Sequence, residues 1–132
     1  MNSQITNQIN QAGHLTIGGV DSLKLAKEYG TPLVVYDVSQ IRNQIRAFKK
    51  VFEEEQVNYA VSYASKAFAS IAMYQVANEE GAYTDVVSAG ELYTAMKANF
   101  PMERISFHGN NKSNEEIEFA IISTTSLYRL NS

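Results

Sequence analysis

The chain contains no cysteine, and that absence removes a disulfide scaffold, a thiolate zinc site and a cysteine nucleophile together. Histidine is nearly as scarce. His14 and His108 are the only two, far apart in sequence, so no metal site is expected. No run of about 18 apolar residues occurs, and the polar stretch Met1 to His14 lacks the basic start and apolar core of a secretory signal. A cytoplasmic protein with no membrane partner is the expectation. There is no excess of positive charge either: 11 Lys+Arg against 14 Asp+Glu leave a net charge of −3, with Lys49-Lys50 a short basic pair, so nucleic acid is not an expected partner. G-x-G-x-x-G, the Walker loop and H-E-x-x-H are all absent.

What is present is the composition of one ordinary folded domain. Of 132 residues, 45% are hydrophobic and 11% aromatic, enough to bury one core, and two Pro with seven Gly exclude a collagen-like or low-complexity chain. Short β-rich runs alternate with longer helical ones. Leu33 to Tyr36 predicts a strand, followed by a helix over 38–55 with Ile41, Ile45, Phe48 and Phe52 at helical spacing. Asn58 to Ala64 predicts a second strand, and Ala67 to Glu80 a helix stopped by Gly81. Tyr83 to Val87 and Ile105 to Phe107 give two more strands, followed by helices over Gly90 to Asn99 and Asn114 to Ile122.

Ser88-Ala89-Gly90-Glu91 and Ser113-Asn114-Glu115-Glu116 match the capping box, in which a hydroxyl takes a free helix N–H and the Glu reaches back to the cap. Asp21 predicts the cap of a further helix over Ser22 to Tyr29, ended by Gly30 and Pro32. Strands alternating with helices imply βαβ units and a parallel sheet, because parallel neighbours need a crossover. The near-regular strand spacing suits a TIM-type barrel or a doubly wound sheet, and both gather chemistry where strands end.

At those ends stand Asp37, Ser65-Lys66, Asp85 with Ser88, and His108 to Lys112. Lys66 follows an apolar strand and lies among Ala64, Ala67 and Phe68. It reads either as a lysine whose amine reaches water or as a partly desolvated amine, neutral enough to attack a carbonyl. Asp85 is either a loop carboxylate or a charge partner for Lys66 or a bound cation. His108 is either a satisfied strand-end histidine or a proton-transfer group. Ser88 reads as a helix cap at a natural anion site.

Five segments in register carry a resemblance. Gly13 to Asp21, Tyr29 to Asp37, Tyr63-Ala64-Ser65-Lys66-Ala67-Phe68, Asp85 to Leu92 and Phe107 to Ser113 together closely resemble the bacterial diaminopimelate decarboxylases over residues 13–122. The resemblance implies a fold-type III pyridoxal-phosphate enzyme with an alanine racemase-like (β/α)8 barrel, joined to a β-domain and acting as a homodimer. It implies conversion of meso-diaminopimelate to L-lysine and CO2, the last step of lysine biosynthesis. By matching motif, Lys66 is the lysine that holds pyridoxal 5'-phosphate covalently, Asp85 the acidic residue of the cofactor pocket, and His108 and Asn110 part of the strand-end segment beside it. The His108 to Lys112 segment favours this family over ornithine or arginine decarboxylases and amino-acid racemases.

A closed barrel needs about 250 residues, and this chain is expected to supply about four βα units. The resemblance places the ring-stacking histidine, the phosphate loop, the acid facing the pyridine nitrogen and the β-domain in family parts that this sequence lacks. The expected layout is an N-terminal segment over 1–31 with a strand and helix, the first half of a barrel over 32–122, and a divergent tail over 123–132. A truncated or frameshifted reading frame is the expected origin of that layout. Such a chain is either a decarboxylase by ancestry or an inactive remnant that binds cofactor or helps another chain assemble. Exposed strand edges and apolar faces predict low stability or association with itself.

Overall fold

A computed structural model describes residues 8–130, with side chains to Ser123. Residues 1–7 of the polar stretch Met1 to His14 and the last two residues of the expected tail lie outside the described residues. The chain divides into two compact units, one ending at Gln44 and the other beginning at Ile45. Among the described residues no helix is long and apolar enough to cross a membrane.

The first unit opens with an antiparallel meander of β1 (Gln8–Ile9), β2 (Leu15–Ile17) and β3 (Val20–Asp21). Ile17 pairs with Val20 across Gly18-Gly19, whose φ angles of 58° and 82° are the positive pair that a tight two-residue hairpin requires. Asp21 then starts α1 (Ser22–Tyr29): its Oδ1 accepts from Leu23 N at 2.8 Å and Lys24 N at 3.4 Å, as the sequence predicts for an N-cap. Its Oδ2 accepts from Asn10 Nδ2 at 2.7 Å and meets His14 Nδ1 at 2.8 Å. With the His14 hydrogen bond foremost, these contacts hold the Asp21 carboxyl down at about 2.

The strand expected over Leu33 to Tyr36 does not form. Its backbone is irregular and has no ladder partner among the described residues, and Val34 is 76% exposed. A β-branched run supplies propensity, but a strand exists only through a partner's hydrogen bonds. Asp37 instead caps α2 (Val38–Glu54), accepting from Gln40 N at 3.1 Å. The apolar stripe of α2 is present, yet the helix has no buried residue and Phe48 is 53% exposed.

The second unit holds a parallel sheet of β4 (Ser62–Ala64), β5 (Tyr83–Val86) and β6 (Ile105–Phe107) in that order. Helices α3 (Ile71–Glu79), α4 (Ala89–Lys97) and α5 (Asn114–Leu130) follow the three strands in turn. This is the α/β alternation the sequence predicts, with three of the expected four strands paired. Side chains alternate across a strand, so register sorts them into two faces. Tyr63, Thr84, Val86, Ile105 and Phe107 face one way, and Ser62, Ala64, Tyr83, Asp85 and Ser106 the other.

The first of these faces is covered. Val86 packs with Tyr74 and Ala77 of α3, Leu92 and Ala95 of α4, and Ala98, Phe100 and Met102 beyond it. The Tyr74 and Phe100 rings meet edge to face at 6.0 Å. Arg46 of α2 grips Glu80 at the end of α3 through two 2.6 Å hydrogen bonds, and Lys49 Nζ donates to the Glu80 carbonyl at 3.0 Å. Helix α5 runs past Ile122, where the sequence reading ends it. Ser123 Oγ donates back to the Phe119 carbonyl at 2.7 Å, which satisfies a hydroxyl that would otherwise compete for backbone groups.

Candidate functional site

The second face of the sheet is open, and the residues singled out at the strand ends gather around it. Ala64 is the register partner of Asp85, and Lys66 follows in the 3-10 turn Ser65–Ala67 that closes β4. Asp85 is half-buried and held from two sides. Ser62 Oγ donates to its Oδ1 at 2.7 Å, and His108 Nε2 lies 3.4 Å from its Oδ2. The structure thus brings Asp85 and His108 together.

Lys66 lies at the same end of the sheet. It is exposed, and its amine has no hydrogen-bond or ion-pair partner among the described residues. The partial desolvation weighed for it is therefore not supplied by Ala64, Ala67 and Phe68. All three are themselves exposed and form no apolar wall over the amine. Asn110 is likewise exposed.

Beneath Lys66 the turn is anchored. Ser65 is fully buried, and its Oγ lies 2.6 Å from the Asp85 carbonyl and 2.7 Å from Glu91 Oε2, so one hydroxyl proton serves two acceptors. Ser88 caps α4 as predicted, taking Glu91 N at 3.2 Å. The reciprocal half of that box is displaced by one residue: the Glu91 carboxylate accepts from Val87 N at 3.0 Å. The same oxygen, Oε2, takes both the Ser65 hydroxyl and the Val87 N–H. Burial foremost, with the Glu91 charge adding to it, raises the Tyr74 phenol behind this cluster, and Tyr74 Oη donates to the Glu91 carbonyl at 3.2 Å.

The second capping box is complete. Ser113 Oγ accepts from Glu116 N at 3.2 Å, and Glu116 Oε2 accepts from Ser113 N at 3.1 Å. Glu116 Oε1 also accepts from Ala89 N at 3.2 Å. The backbone donors of Ser113 and Ala89 hold its carboxyl below the usual range.

Ser65 stands in the sequence reading beside Lys66 at a strand end, whereas Ser62 and Glu91 are not among the site residues expected from sequence. Ser62 carried a usable signal, because two residues before Ala64 on a strand is the same face. Ser65 and Glu91 meet only through the register of β4 against β5, which local spacing does not contain.

Three comparisons bear on this arrangement. Residues 38–131 match the family model described as pyridoxal-dependent decarboxylase, pyridoxal binding domain. The chain is 57% identical over 116 residues to a diaminopimelate decarboxylase of Bacillus methanolicus, covering 88% of this chain and 27% of that protein. It is 60% identical over 116 residues to the Bacillus subtilis diaminopimelate decarboxylase, covering 88% of this chain and 26% of that one. The chain therefore spans roughly a quarter of the length of the curated relatives it matches. Among solved structures it resembles a diaminopimelate decarboxylase of Methanocaldococcus jannaschii in complex with L-lysine, at 40% identity and a TM-score of 0.76, covering 89% of this chain and 28% of that one.

Proposed function

The chain belongs to the pyridoxal-dependent decarboxylase family through its pyridoxal-binding domain, and on that premise we propose that it is the cofactor-binding part of a diaminopimelate decarboxylase. The reaction assigned is conversion of meso-diaminopimelate to L-lysine and CO2. One carbon–carboxylate bond breaks, CO2 leaves, and a proton replaces it. Methanocaldococcus jannaschii's enzyme is described with L-lysine, which is the product this reaction requires. The observation that carries the reading is the placement of Lys66, whose amine has no partner among the described residues, at the same end of the parallel sheet as the Asp85–His108 pair. That sheet is read as part of an alanine racemase-like barrel.

The donor set suits pyridoxal phosphate: an amine for its aldehyde, with a carboxylate and an imidazole beside it. When bound, the group supplies an electron sink at the carbon that loses its carboxylate. Lys66 is assigned as the attachment residue, with Asp85 and His108 as cofactor-binding residues. Ser62 orients the Asp85 carboxylate, and Asp85 in turn sets the His108 ring, whose Nε2 can hold a proton toward Oδ2. Ser65 and Glu91 fix the turn from which Lys66 projects.

The test is intact mass after incubation with pyridoxal phosphate and borohydride, with Lys66→Ala as control. A single adduct mapping to Lys66 and absent from the control is expected. Adducts spread over surface lysines, or unchanged by the substitution, overturn the assignment. CO2 release measured with meso-diaminopimelate, ornithine and arginine then decides the substrate.

The open sheet face favours a second reading, in which the chain binds the cofactor without turnover or serves another chain's assembly. It also makes association between copies the expected state, read by sedimentation; a monomer that unfolds cooperatively at ordinary temperature overturns that. A cytoplasmic setting follows from the proposed biosynthetic role and is read by cell fractionation.

A further inference from the structure

The loop between β6 and α5 is fastened by a side chain that the proposed chemistry does not use. Lys112 Nζ donates to the His108 carbonyl at 2.5 Å and to the Val87 carbonyl at 2.9 Å, and it lies 4.1 Å from the centre of the Phe107 ring. Each contact satisfies a cation that is only partly in water, the last through the ring's negative face. On its other side the His108 peptide donates N–H to the Val86 carbonyl at 3.1 Å. His108 is therefore pinned at both ends of its backbone, once by the sheet and once by Lys112.

Gly109 lies directly beside the amine. Its φ of +126° lies where L side chains rarely go, and a Cβ built there would stand 2.9 Å from Lys112 Nζ. A glycine in that conformation and a lysine three residues on thus form one device. Because Lys112 reaches Val87 as well, it ties the loop after β6 to the loop after β5.

We infer that Lys112 is a positioning residue that holds the His108 ring facing Asp85. The value of that placement for cofactor binding rests on the functional reading above; the placement itself does not. With only two histidines in the chain, the His108 ring signals can be followed by NMR in the full cofactor-free protein, with His14 as internal reference. Asp85→Asn should shift the His108 ring signals in the otherwise native chain. In Lys112→Met, which keeps the apolar stem and removes the donors, most of that response should be lost while the amide signals of β4 and β5 stay in place. Lys112→Gln, which shortens the reach and removes the charge, should reproduce the loss.

An undiminished response in Lys112→Met overturns the inference. If that variant fails to fold, Lys112→Gln decides by the same two outcomes. Loss of the β4 and β5 signals in both assigns Lys112 to the fold at large and equally overturns it. Borohydride trapping at Lys66 in the unmodified chain separates the two readings. Its failure removes the cofactor assignment and leaves the NMR result to stand or fall alone.

Discussion

On one face of the parallel sheet Thr84 and Val86 are fully buried, whereas on the other Ser62, Ala64 and Tyr83, which alternate with them or pair beside them, are exposed. The same three strands build both. The covered face is apolar apart from Thr84, whose Oγ1 donates to the Tyr63 carbonyl at 2.9 Å. The open face carries hydroxyls and the Asp85 carboxylate. Stability and chemistry are thus divided between two sides of one backbone, so a change on one side should leave the other's property largely untouched.

Leu92→Ala is the sharpest way to strain that division. Leu92 is 1% exposed in the core beneath the covered face, and its truncation should cost about 3 kcal/mol in urea unfolding. In the fraction that stays folded, cofactor trapping at Lys66 should persist. Arg46→Met comes next: it strips a bidentate partner from Glu80, whose side chain is 7% exposed, and should cost about 2 kcal/mol by the same measurement.

A smaller effect is expected in the first unit. Asp21 has its carboxyl depressed from 3.8 to about 2, so the folded form favours the charged group. The stability this contributes is present above the unfolded value and is lost as pH falls between those two values. The amide signals of Leu23 and Lys24 should report loosening of the α1 start in that window, and Asp21→Asn should abolish the transition. Ser106→Ala, on the open face, should move stability by no more than about 0.5 kcal/mol. A cost as large as that of Leu92→Ala would mean the open face is structural after all.

The caps were the most legible part of the fold in the sequence. Asp21, Ser88 and Ser113 each start the helix expected of them, because capping is a contact between near neighbours. Strand identity was less legible. Tyr83 to Val86 and Ile105 to Phe107 found partners, while Leu33 to Tyr36, an apolar run with β-branched Val34 and Val35 at its centre, did not. Nothing within a four-residue run specifies what lies beside it.

The site divides in the same way. Lys66, Asp85 and His108 were visible as reactive residues at strand ends, and the structure brings Asp85 and His108 within reach of each other. The desolvation considered for Lys66 depended on walls that neighbouring sequence does not supply. Lys112 stands in a segment named from sequence, but its role needs the Val87 carbonyl, which comes from the loop after a different strand.

Glu116 divides its two oxygens between Ser113 N at the start of α5 and Ala89 N at the start of α4. Two helices following different strands are therefore tethered by one side chain, like two levers on a single pin. A tilt of α5 must draw on the loop that carries Ser88, and the opening steps of both helices should fray together. A chain evolving at position 116 would have to re-seat both levers at once, which makes this surface glutamate a less free position than its exposure suggests.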